Sequence, residues 1–127
     1  MEKVLIIESI DDRQRLGETL RQAGYEVMET GGTSDRWPGL SYLREQSFDL
    51  VIIDEARVAL EGVEVVPALR HLTDAPIIIT GAGGEESVVL ALLQGGDAYL
   101  PHSAGEEAVT AYICALLRRH RTLASAG

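Results

Sequence analysis

The feature that most constrains the fold of this chain is a set of three short apolar runs, each followed by oxygen-bearing side chains. The runs and the residues that follow them are 4–7 with Glu8 and Ser9, 48–53 with Asp54, and 77–79 with Thr80. Such runs are typical of buried parallel strands, which are covered on both faces and need not alternate. The carboxyl ends of these strands meet at the ligand-binding edge of an open α/β sheet. We therefore expect a functional site that contains Asp54.

Helical patterns separate the strands. The predicted strands cover residues 4–7, 25–29, 48–54, 77–80 and 98–100, and the predicted helices cover 9–23, 40–46, 63–72, the apolar segment between Gly84 and Gly95, and 105–121. Strands that alternate with helices predict a parallel sheet with helices on both faces. The expected fold is a flavodoxin-like, doubly wound α/β domain with five parallel strands in the order 2-1-3-4-5 and five helices. This order places Glu8 close to Asp54.

The length of 127 residues favours a single domain, because a chain of this size can bury one core of ordinary size but not two. The strand and helix patterns occupy residues 1–121, which we expect to form the domain. Residues 122–127 are small and polar, and we expect them to be a flexible tail or the start of a linker.

Charge and hydropathy exclude several kinds of partner. Eleven basic against twenty acidic residues give a formal net charge of −9, which repels a nucleic-acid backbone, so we expect no direct nucleic-acid binding. No apolar run approaches the ~20 residues of a membrane-spanning helix, and the N-terminus lacks the pattern of a signal peptide. One cysteine cannot form an internal disulfide. These features favour a cytoplasmic protein with no membrane partner.

Five motifs in order resemble the receiver domain of two-component response regulators. They are KVLIIES at 3–9, GYEV at 24–27, DLVIID at 49–54, IT at 79–80 and GGDAYL at 95–100, and together they cover nearly the whole chain. The resemblance implies a signalling domain rather than an enzyme that turns over a substrate. It also implies a histidine kinase or phosphotransfer protein as the phosphoryl donor. The signal would pass to an output domain or partner protein, and homodimerisation of the receiver is one way in which it could do so.

The resemblance assigns a role to each site residue. Asp54 matches the aspartate that accepts the phosphoryl group, and Thr80 matches the hydroxyl that hydrogen-bonds a phosphoryl oxygen. Tyr99 matches the switch aromatic, whose ring turns inward and alters the face formed by helix four, strand five and helix five. Counting forward from Pro76 would place Gly81 at the hydroxyl position, whereas counting back from Tyr99 selects Thr80, which we prefer.

The metal site implied by the resemblance is incomplete in this sequence. Its Mg²⁺ ligands would be Glu8, Asp54 and the backbone carbonyl of Ala56, since Mg²⁺ prefers oxygen ligands in near-octahedral geometry. Ser9 stands where the family usually carries a second acid, and it offers only a neutral hydroxyl. We therefore expect Mg²⁺ binding to be weak or absent.

The usual lysine of the family is also replaced. His102 stands at its position, so a permanent cation gives way to an imidazole, a side-chain type that changes charge near neutral pH. Two alternatives follow. In one the site still accepts a phosphoryl group on Asp54; in the other the chain is a phosphorylation-independent pseudo-receiver that acts as a protein–protein interaction module.

A third alternative is a small nucleotide- or flavin-binding enzyme on the same fold. The segment GAGG at 81–84 follows a strand and precedes a helix, which is the setting of an anion-binding loop. The segment lacks both the third glycine of the dinucleotide fingerprint and the Lys-Ser/Thr ending of a P-loop. We regard this alternative as the weakest of the three.

Overall fold

A computed structural model describes residues 1–7, 15–30, 38–55, 58 and 65–126 of the chain. In this part of the chain five strands alternate with five helices. In order they are β1 (Lys3–Ile7), α1 (Arg15–Gln22), β2 (Glu26–Thr30), α2 (Pro38–Glu45), β3 (Leu50–Asp54), α3 (Val65–Leu72), β4 (Ile77–Gly81), α4 (Glu85–Leu93), β5 (Ala98–Pro101) and α5 (Glu106–Ala126). The alternation predicted from the apolar runs is confirmed.

The five strands form one parallel sheet in the order β2-β1-β3-β4-β5. The predicted flavodoxin-like order is therefore confirmed. Its register places Asp54 of β3 directly beside Thr80 of β4, and Thr80 directly beside Leu100 of β5. Because all strands run in the same direction, these carboxyl-terminal residues lie at one edge of the sheet.

Alternate residues of the strands pack into two cores on opposite faces of the sheet, as the pleat requires. In β3, Val51 and Ile53 face a core that also contains buried residues of α2, α3 and α4. Leu50 and Ile52 face the other core, which contains buried residues of α1 and α5. All five residues of β3 are buried, which explains why this strand appears in the sequence as an uninterrupted apolar run.

The ends of two helices show how local sequence sets the boundaries. Pro67 is the third residue of α3, and it is tolerated there because amides in the first turn have no partner within the helix. Helix α5 continues to Ala126, beyond residue 121, where we expected it to end. No glycine or proline interrupts residues 106–126, and alanine favours the helix. The domain boundary at 121 stays a prediction.

Helix α4 is much less buried than its apolar sequence suggests. Of its residues only Ala91 is buried. Four large side chains are exposed and form what we call the α4 apolar patch: Val89 at 49%, Leu90 at 56%, Leu92 at 46% and Leu93 at 79%. The helix therefore presents an apolar surface to solvent.

Helix α5 is tied to the start of β2 by a side-chain contact. Tyr25 Oη lies 2.8 Å from Cys114 Sγ, and both residues are partly buried. Cys114 is a free cysteine that is used here in a contact within the protein. In the described part of the chain, no helix is both long enough and apolar enough to cross a membrane.

Candidate functional site

Asp54 lies at the carboxyl edge of the central strand, where the sequence predicted the site. It is the last residue of β3 and is only 8% exposed, although it is an acid. A buried carboxylate requires hydrogen-bond donors to replace its hydration. Strand β4 and the turn after β5 supply two such donors.

The two donors approach the same oxygen of Asp54. Thr80 Oγ1 donates to Asp54 Oδ2 at 3.0 Å. His102 Nε2 lies 2.5 Å from the same oxygen and donates to it when the carboxyl group is ionised, because a carboxylate can only accept. This contact is shorter than an ordinary hydrogen bond between a nitrogen donor and an oxygen acceptor.

The backbone fixes the position of His102. Its amide donates to the carbonyl of Gly81 at 2.7 Å, which extends the pairing of β4 and β5 past the end of the strand. The imidazole therefore reaches Asp54 from the turn that follows β5. His102 and Asp54 side chains are 24% and 10% exposed, so the contact is largely screened from solvent.

A second cluster of polar contacts lies beside the first and is centred on the Tyr99 hydroxyl. This hydroxyl donates to Glu55 Oε2 at 2.8 Å and accepts from the amide of Gly83 at 2.9 Å. The amide of Ala82 makes a longer contact of 3.4 Å with Glu55 Oε1. The Tyr99 ring packs against the core that contains Val51 and Ile53.

The environment of Tyr99 raises the pKa of its phenol above the ordinary value. Partial burial is the largest cause, because it disfavours the phenolate. The hydrogen bond and the charge of Glu55 raise the pKa further, whereas the Gly83 amide opposes the shift by donating to the oxygen. The Tyr99 hydroxyl is therefore held in its neutral, donating form.

Gly81 provides the space for this second cluster. A Cβ atom at residue 81 would lie 2.2 Å from Glu55 Cδ and 2.3 Å from Tyr99 Oη. Both distances are far below van der Waals contact, so a larger residue would displace the carboxylate or the phenol. The close approach of Glu55 and Tyr99 thus depends on glycine at this position.

The structure brings together some of the predicted site residues and leaves others outside its described part. Asp54, Thr80 and His102 meet at one carboxylate oxygen, and Tyr99 lies on the adjacent strand. Three further members of the predicted set, Glu8, Ser9 and Ala56, lie outside the described residues. Among the residues that are described, no group of three His, Cys, Asp or Glu side chains could hold a metal ion.

The loop at 81–84 does not present its first amides to a ligand. The Ala82 and Gly83 amides point to Glu55 and Tyr99. These donors are used within the protein, whereas an anion-binding loop directs its amides at a bound phosphate. The nucleotide- or flavin-binding alternative therefore has no support from this loop.

Sequence reasoning missed the contribution of Glu55 and Gly81. Both directly follow a predicted site residue, Asp54 and Thr80 respectively, and the register places those two side by side. Adjacent strand ends of this kind could have indicated that the next residues along each chain also approach one another. The spacing alone gave no indication that Tyr99 would complete the contact.

Comparison with known proteins supports the class of fold described above. No protein-family model matches the chain. It is 32% identical over 120 residues to the uncharacterised transcriptional regulatory protein YrkP of Bacillus subtilis, covering 93% of this chain and 50% of that protein. It is 33% identical over 123 residues to the transcriptional regulatory protein CpxR of Escherichia coli, covering 94% and 50%. The chain thus spans about half the length of these curated relatives.

Solved structures give the same result for the fold. A response regulator receiver domain protein from Clostridium thermocellum superposes with a TM-score of 0.77 and 25% identity, covering 97% of this chain and 99% of the other. A response regulator from Burkholderia pseudomallei, crystallised with a phosphorylated aspartic acid and a calcium ion, gives 0.71 and 22%, covering 99% and 72%. The chain belongs to the receiver domains of two-component response regulators, a family in which phosphorylation of an aspartate is general.

Proposed function

We propose that this receiver domain accepts a phosphoryl group on Asp54 and passes the signal to a partner protein. The observation that carries the proposal is the nearly buried Asp54 carboxylate, with the Thr80 hydroxyl and the His102 imidazole both on its Oδ2 atom. A carboxylate at a sheet edge that is surrounded by hydrogen-bond donors suits the transfer of an anionic group.

The proposed chemistry requires a nucleophile and donors for the transferred oxygens. A carboxylate oxygen of Asp54 attacks the phosphorus of a phosphohistidine on a histidine kinase or phosphotransfer protein. The P–N bond breaks, its electron pair stays on the donor imidazole, and an acyl phosphate forms on Asp54. Thr80 and His102, which now donate to Asp54, are placed to donate to phosphoryl oxygens instead.

Mg²⁺ is the cofactor that fits this proposal, and it would offset the negative charge of the phosphoryl group. The Asp54 carboxylate offers the hard oxygen ligands that Mg²⁺ prefers, and Glu8 and the Ala56 carbonyl would complete the set. Ser9 replaces an acid in that set. We therefore propose that Mg²⁺ binds weakly or not at all in the absence of the phosphoryl donor.

The proposed output surface is the face formed by α4, β5 and α5. Tyr99 on β5 is the proposed switch residue, and the α4 apolar patch provides exposed apolar area for a protein contact. The partner is an output domain or a separate protein, with receiver homodimerisation as one route. The relatives are named transcriptional regulators, but the charge of −9 argues against direct contact of this domain with nucleic acid.

The first prediction tests the acceptor. Incubation with acetyl phosphate and excess Mg²⁺ is expected to add the mass of one phosphoryl group to the native protein, and no such mass to an Asp54→Asn variant. Intact-mass spectrometry measures both. Asp74→Asn is the matched control, because Asp74 is an exposed acid beyond the end of α3 and its loss should leave the added mass unchanged.

An unmodified native protein, under conditions in which circular dichroism shows it to be folded, would contradict the proposal. The phosphorylation-independent interaction module would then be the better description. Modification of both the native protein and Asp54→Asn would instead place the acceptor at another residue.

A further inference from the structure

We propose that Glu55 is the positioning residue of Tyr99, and that it locks this aromatic and the loop before α4 to the end of β3 independently of Thr80. We call the contacts of Glu55, Tyr99 and Gly83 the Glu55 lock. The lock holds Tyr99 in place on the proposed output face. None of its contacts takes part in phosphoryl transfer.

The lock connects three separate segments of the chain. Glu55 directly follows β3, Tyr99 lies in β5, and Gly83 lies in the loop between β4 and α4. The Tyr99 hydroxyl joins all three, since it donates to Glu55 Oε2 at 2.8 Å and accepts from the Gly83 amide at 2.9 Å. A hydrogen bond to a charged carboxylate is stronger than one between neutral groups, so the contact with Glu55 is expected to hold this hydroxyl firmly.

Thr80 takes no part in these contacts. Its hydroxyl donates to Asp54, on the opposite side of its own strand from the residues that surround Tyr99. Movement of Tyr99 therefore requires that its bonds to Glu55 and Gly83 break, whatever the state of the Thr80 hydroxyl. The lock thus opposes a switch of the aromatic that is driven by Thr80 alone.

Gly81 supports the lock independently, because the absence of a side chain at this residue leaves the space in which the lock forms. The Cβ of any other residue would overlap both Glu55 and Tyr99. The backbone at Gly81 needs no left-handed conformation, unlike Gly83 and Gly84, whose φ angles are 97° and 107°. The requirement for glycine at residue 81 is therefore one of space, and the space is filled by the lock.

The Gly83 amide and the Tyr99 phenol report on the lock directly. In Glu55→Ala, exchange of the Gly83 amide with deuterium is expected to accelerate about tenfold, because its acceptor is no longer held in place. The pKa of the Tyr99 phenol, measured by ultraviolet titration with Tyr99→Phe as the reference, is expected to fall, since a neighbouring carboxylate disfavours the phenolate. Glu55→Gln keeps one acceptor oxygen and should give intermediate exchange.

Two further variants distinguish a positioning role from a general loss of structure. Gly81→Ala should accelerate Gly83 exchange as much as Glu55→Ala does, and the two changes should not add, because both open the same lock. Gly105→Ala is the matched control, since a Cβ there meets no atom within 4 Å. Thr80→Val removes the hydroxyl at nearly constant volume and should leave both reporters unchanged.

The lock is refuted if Glu55→Ala leaves Gly83 exchange and the Tyr99 titration as they are, or if Thr80→Val changes them as much. These measurements use no phosphoryl donor. Failure of the lock would therefore leave the proposed phosphorylation of Asp54 intact, and failure of phosphorylation would leave the lock intact.

Discussion

Replacement of His102 by alanine is expected to slow phosphorylation of Asp54 by acetyl phosphate by about 10- to 100-fold. In the structure the imidazole contacts the carboxylate of Asp54, the proposed acceptor, and it is the described side chain best placed to carry positive charge at that oxygen. A hydrogen bond from a charged donor to the transferring group contributes about 1.5–3 kcal/mol, which corresponds to this range of rates. The rate is measured by intact mass against time.

Two companion variants sharpen this prediction. His71→Ala removes an exposed imidazole on α3 and should leave the rate unchanged. His102→Lys keeps a hydrogen-bond donor that carries positive charge at this position, and it should retain most of the native rate. An undiminished rate in His102→Ala would show that the imidazole contributes nothing to transfer, and that its contact with Asp54 serves the resting protein only.

The second large effect is expected on stability. Ile53→Ala should lower the free energy of unfolding by about 2–5 kcal/mol, because it leaves a cavity where the surrounding strands and helices cannot close in. Ile53 is fully buried in the central strand and immediately precedes Asp54. Urea unfolding followed by circular dichroism measures the change.

Leu93→Ala is the matched control for this loss of apolar volume. Leu93 is 79% exposed in the α4 apolar patch, so its truncation removes little buried area and should change the free energy of unfolding by less than about 0.5 kcal/mol. A cost in Leu93→Ala equal to that in Ile53→Ala would mean that α4 is covered in solution. The patch would then be occupied by another molecule, such as a second copy of the chain.

The sheet could be predicted from sequence because its strands are covered on both faces. Residues 50–53 and 77–79 are continuous apolar runs for this reason, and the polar residue that ends each run marks the edge of the sheet. The polar ends of the runs also predicted that Asp54 and Thr80 lie at neighbouring strand ends, and the structure pairs them directly. The predicted strand order 2-1-3-4-5 was therefore the main basis for predicting where the site lies.

Two features could not be anticipated, because they depend on distances between side chains rather than on patterns along the chain. The contact between Glu55 and Tyr99 joins residues that are 44 positions apart. The exposure of α4 depends on how closely the helix approaches the sheet, and an apolar segment gives no measure of that approach. The apolar residues of α4 were consistent with a buried helix, whereas the structure buries only Ala91.

The space at Gly81 has a consequence for how sequences of this kind can diverge. An acid that directly follows the acceptor aspartate and a glycine that directly follows the strand-four hydroxyl form one unit, because the first fills the space that the second leaves. A drift from Gly81 to alanine would be disfavoured while Glu55 and Tyr99 remain, because a Cβ atom at residue 81 would overlap both side chains. The two positions should therefore change together among the descendants of a common ancestor, which makes the pair a marker of receivers that share this arrangement.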